Sequence, residues 1–128
     1  MTQPRIFAFE CRVEGEEIRA IVNAPTAGKA RYRYWLRASD ACPDLKLIDI
    51  TVRKVGRPHT DERLLRVCDL RGMRLAAGDR VRLANGEAGT IIGAGYGADF
   101  EVWLDGGRSG FVHPGDITPI PLEVRAWR

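Results

Sequence analysis

Asn85-Gly86 sits between two alternating apolar runs, and no other pair of residues restricts the fold of this chain so tightly. A two-residue hairpin needs positive φ at its centre, and Asn-Gly adopts it at the least steric cost, with a twist that matches the flanking strands. Val81 and Leu83 then share one face of the incoming strand, Arg80 and Arg82 the other, and the apolar run resumes at Thr90-Ile91-Ile92. Beyond the flexible loop Gly93-Ala94-Gly95-Tyr96-Gly97, Phe100, Val102 and Leu104 alternate with Glu101 and Trp103. Asp105-Gly106-Gly107 turns the chain, Ser109 to His113 continue the sheet, and Pro114-Gly115-Asp116 corners into a last strand at Ile117–Ile120. Five short strands with glycine at their corners predict an SH3-like small barrel over residues 76–122, followed by a tail at 123–128.

The first half follows a different pattern. Phe7, Phe9, Cys11 and Val13 alternate with Ala8, Glu10 and Arg12, so residues 5–13 read as a half-buried strand. After Glu14-Gly15-Glu16, the residues Ile18, Ala20 and Val22 repeat the alternation. Thr26 is a candidate N-cap for a helix over 27–41, halted by Pro43. At about 100° per residue, Ala27, Ala30, Tyr34, Ala38 and Ala41 fall on one side, with Trp35 at its edge. Alanine there lets the helix lie close to a sheet. Leu45 to Val55 is the third strand, with Ile48, Ile50 and Val52 on one face. The fold class is therefore α+β: a ββαβ unit over 1–57 and a connector over 58–75, packed against the barrel. The connector reads either as a short helix, acidic at its start (Asp61-Glu62) and ending at Gly72, or as an extended segment between the halves.

The second half, residues 72–120, resembles the C-terminal segment of small uncharacterised proteins of bacteriophages and prophages. The likeness rests on Gly78-x-x-Val81-x-Leu83, Gly86-x-x-Gly89-x-Ile91, Phe100-x-Val102, Asp105-Gly106 and Val112-His113-Pro114. More loosely, it is similar to KOW- and Tudor-like barrels. The glycine pattern is generic and the Val-His-Pro ending the more specific part. The resemblance implies a mobile-element origin and no chemistry.

Charge is distributed unevenly. Residues 1–57 hold 11 Lys/Arg against 7 Asp/Glu, whereas residues 58–128 hold 9 against 10. Attraction to an anionic partner therefore belongs to the first half. Seventeen of the twenty basic residues are arginine, which suits phosphate or carboxylate recognition and is also what a GC-rich genome produces. Cys11, Cys42 and Cys68 have no CxxC spacing and read as small buried residues of a reducing compartment. Without a long apolar run, a cytoplasmic protein in a bacterial host is the expectation, with no membrane association.

The candidate sites each compete with a plainer reading. Gly93-Ala94-Gly95-Tyr96-Gly97-Ala98 fits a GxGxxA dinucleotide pattern, which requires a helix next, and the residues that follow read as a strand. Lys29, Arg33 and Arg37 form a basic stripe at i, i+4, i+8 with Tyr32 beside it. The stripe reads as a solvated helix face, as a phosphate-holding row with a base-stacking ring, or as a contact for an acidic protein. Trp103 points away from the Phe100 face, toward the first half or toward a partner. His59 and His113 lack ligands at metal spacing, and His113 reads as a cap of the Pro114-Gly115 corner. No metal, no cofactor and no enzymatic activity are expected.

The expected function is non-catalytic binding of a nucleic acid or nucleoprotein by an accessory protein of phage or prophage origin, through Lys29, Tyr32, Arg33, Arg37, Tyr96 and Trp103. The alternative is an inhibitor of a bacterial defence complex, such as a CRISPR effector, acting by protein–protein contact.

Overall fold

Two antiparallel sheets and two helices make up the computed structural model, which describes residues 3–16 and 19–121. The first sheet has the order β2-β1-β3, from β1 (Phe7–Val13), β2 (Ala20–Ala24) and β3 (Ile50–Gly56), with α1 (Ala27–Ala38) laid across it. Thr26 caps α1 as expected, its hydroxyl accepting the Lys29 N–H at 3.2 Å. Phe9, Cys11, Val22, Ala24 and Ile50 meet the fully buried Ala30. Tyr34 and Trp35 fill the flanks, and the Trp35 indole donates to the Leu45 carbonyl at 2.9 Å.

Two expectations in this unit need correction. The helix ends at Ala38, three residues before the expected end, and Ala41 is exposed instead of buried, as is Ala27 in the first turn. The third strand starts at Ile50. The Asp49 carboxylate accepts the Lys46 N–H at 3.1 Å and folds Leu47–Asp49 into a 3-10 turn, which leaves Ile48 85% exposed. The expected strand residue Ile18 and the tail at 123–128 lie outside the described residues.

Asp61 caps α2 (Glu62–Arg71) by accepting the Leu64 N–H, and Gly72 ends it in the left-handed region at φ +64°. The helical reading of the connector holds, but α2 is more than a connector. Leu64, Val67 and Cys68 insert into one core with Val81, Ile91, Phe100, Val102, Leu104 and Ile117. Those residues come from the second sheet, ordered β7-β6-β5-β4-β8 and built from β4 (Arg80–Leu83), β5 (Ala88–Ala94), β6 (Phe100–Leu104), β7 (Ser109–Val112) and β8 (Ile117–Pro119). A hairpin joins β4 and β5, but with a three-residue loop instead of the expected two-residue one: the Gly86 N–H donates to the Leu83 carbonyl at 2.9 Å across Ala84-Asn85, and of these residues only Gly86 takes a positive φ, +92°. The sheet is antiparallel throughout and open, with β7 and β8 as its edges; no closed barrel is formed by the described residues. His113 caps the corner before β8, its Nδ1 accepting the Gly115 N–H at 2.9 Å.

The two units meet along β2 and the outer face of the second sheet. Along β5 Ile91 faces the core and Ile92 the outer face, against Trp103 and Ile6, and the bulge that follows sets Gly93 opposite Glu101 and returns Ala94 to the core. Asn23 bridges the junction. Its amide donates to the carbonyls of His59 and Ile92 and accepts the His59 N–H, all at 2.8 Å. Among the described residues no helix is long and apolar enough to cross a membrane.

Candidate functional site

Helix α1 does not present a continuous basic stripe. Arg33 turns inward: it is 7% exposed, donates to the backbone carbonyl of Asn23, and meets the Glu101 carboxylate on β6 at 2.5 Å. Burial lowers the Arg33 pKa from its ordinary value, and the Glu101 carboxylate opposes that shift. Arg37 reaches the same Glu101 oxygen at 3.3 Å while staying half exposed. Lys29 is thus exposed alone at one end, with Tyr32 half exposed and stacked on Trp35, ring centroids 6.0 Å apart. Trp103 is 5% exposed and fills the junction between units. Arg33 and Trp103 therefore hold the two units together and present nothing to a partner. The sequence could not show this, because Glu101 alternates with apolar residues and reads as an outer, solvated position.

The structure instead gathers Arg37 and Tyr96 at a groove of about 450 Å³ between α2 and the β5–β6 loop. Along α2, Arg63, Val67 and Leu70 line it at i, i+4 and i+7, one face of the helix. The Tyr96 ring stands 92% exposed, with the Arg63 guanidinium 3.7 Å over its centroid. The loop that carries the ring is tightly built. Gly95 donates to the Asp99 carbonyl at 2.9 Å, and Ala98 adopts a positive φ of 60°. The Arg71 Nε donates to the Ala98 carbonyl at 3.3 Å, tying the loop to α2. Phe111, itself largely exposed, packs so closely on Gly95 that a Cβ there would lie 2.9 Å from its ring.

Charge around the groove is mixed. Arg66 pairs with Glu62 at 3.6 Å, and Asp61 is occupied as the helix cap. Leu70, on the groove wall, is 69% exposed. The face therefore combines an aromatic ring and a leucine with three arginines set against two carboxylates, and aromatic and arginine side chains are those enriched at protein contacts. Sequence reasoning missed Arg63, Leu70 and Phe111. The i, i+7 spacing of Arg63 and Leu70 was readable, but their meeting with Tyr96 depends on how α2 packs. Among the described residues no group of His, Cys, Asp and Glu could hold a metal ion. Gly93-Ala94-Gly95 leads into the strand β6, so the dinucleotide pattern has no helix on which to seat a pyrophosphate. No protein-family model, no curated protein and no solved structure matches the chain.

Proposed function

We propose that this chain is a non-catalytic accessory protein that binds a macromolecular partner, and that the groove face around Tyr96 docks a protein. The observation that carries the reading is a nearly fully exposed tyrosine ring held on a well-built loop, capped by Arg63 and sharing its groove with the exposed Leu70. Aromatic and arginine side chains deliver most of the energy of protein contacts, and an aromatic ring buries a large area for few frozen torsions. With Arg33 withdrawn into the junction, the phosphate-holding row on α1 loses its centre, which favours protein over nucleic acid at this face. Inhibition of a bacterial defence complex by surface contact is the narrower form of the proposal that fits the resemblance to phage proteins, with the bacterial cytoplasm as the place of action. The order in which β8 returns to pair with β4 supports reading the second unit as an SH3-like small barrel left open.

Affinity capture from bacterial lysate tests it. A stoichiometric protein retained by the native chain, lost with Tyr96→Ala and kept with Arg82→Ala, is the expected result. Equal capture by the two variants would overturn it, as would retention of nucleic acid alone through this face.

A further inference from the structure

The solvent face of the first sheet carries a second, unrelated feature. Glu10 on β1 stands opposite Arg53 on β3, and Arg12 opposite Thr51, so all four side chains share the face away from α1. Arg19 joins them from the segment leading into β2. Arg12, Arg19, Arg53, Thr51 and Glu10 line a shallow hollow of about 310 Å³. Arg19 and Arg53 approach the same Glu10 oxygen, at 3.4 and 3.3 Å, while both remain mostly exposed. One carboxylate thus holds two guanidinium groups toward a single spot, with a third beside them. Three of the eleven basic residues of the first half meet here against one carboxylate.

We propose that this hollow binds the phosphodiester backbone of a nucleic acid. Planar guanidinium groups with free N–H donors match phosphate oxygens, and the Glu10 contact orients two of them in advance. The hollow is lined by no aromatic ring, so no base stacks there and the contact is blind to sequence. The site lies on a different sheet from the Tyr96 groove and stands or falls independently of the protein-docking reading. If both hold, the natural target is a nucleoprotein, with its protein against the groove and its nucleic acid against the sheet.

Fluorescence anisotropy with a labelled oligonucleotide of mixed sequence tests the assignment. Low-affinity binding is expected at low salt, with log K falling against log salt at a slope of about −2 to −3, as three phosphate contacts would give. Arg19→Glu/Arg53→Glu should weaken binding by about tenfold or more, whereas Arg74→Glu/Arg108→Glu, with the same change in net charge, should leave it within about twofold. Glu10→Gln should tighten it by removing the one carboxylate that repels phosphate. Circular dichroism and thermal melting confirm that each variant is folded. Equal losses from the two double variants would reduce the effect to net charge and overturn the proposal. So would absence of binding at low salt, or competition by polyglutamate as effective as that by unlabelled oligonucleotide.

Discussion

Cys11 lies at the centre of the first sheet with no exposed surface, its thiol facing the Ala30 carbonyl at 3.9 Å. Burial is the main reason that its pKa is pushed up to about 11 from 9.0, against a lowering pull from Arg31 and Arg33. Because the folded value lies above the unfolded one, the contribution to stability is complete below pH 9 and declines toward pH 11. The loss amounts to no more than on the order of 2–3 kcal/mol. Urea titrations over that range should show the decline, and Cys11→Ala should flatten this part of the pH profile. Under native conditions at neutral pH a thiol reagent should modify Cys42 alone, since Cys11 and Cys68 are buried, and mass spectrometry of the labelled chain reads this directly. Cys42 was expected inside. It is exposed, in the turn that follows α1. Gly89 offers a sharper test of packing. A Cβ there would come within 2.6 Å of a Val102 methyl carbon and 2.7 Å of the Trp103 carbonyl, so Gly89→Ala should cost about 1–3 kcal/mol in denaturant unfolding.

Helices and hairpins were the most legible parts of the molecule, because their signals are local. Thr26, Asp61 and Gly72 lie at the helix ends they announce, and the hairpin falls where Asn85-Gly86 predicts it, though its loop is one residue longer. Removing the cap of α2 by Asp61→Ala should destabilise by about 1 kcal/mol and should loosen the groove wall, read as faster amide exchange at Leu64 and Leu65. The start of β3 was not legible. Leu45-Lys46-Leu47-Ile48 has an apolar composition suited to a strand, but the Asp49 side chain competes for the backbone and wins locally. The open form of the second sheet also escaped the sequence, since closure depends on how its edges meet in space and not on alternation within any strand.

At the level of the whole molecule, the two units are joined by a buried ion pair, and this explains why the candidate site was only half readable. Of the residues singled out in the sequence, Tyr96 and Arg37 stand at the groove, while Arg33 and Trp103 belong to the junction. Their partners Glu101 and Ile6 are remote in the chain, so spacing alone could not assign them. Glu101→Leu would strand the Arg33 guanidinium in a dry setting and should cost about 3–5 kcal/mol, with Arg33→Met/Glu101→Leu recovering most of it. Chemical unfolding followed separately by Trp35 and Trp103 fluorescence, in single-tryptophan variants, would show the junction failing before either core.

The margin of the second sheet formed by β7 has a consequence for handling the protein. Ser109 to Val112 carry no charge and display Phe111, whereas the β3 margin bears Arg53 and Lys54, and β8 contains Pro119. Like charges and proline deter foreign strands; a bare run with an outward ring does not. Concentrated solutions should accordingly self-associate through that rim, and Phe111→Lys should raise the concentration at which light scattering first climbs.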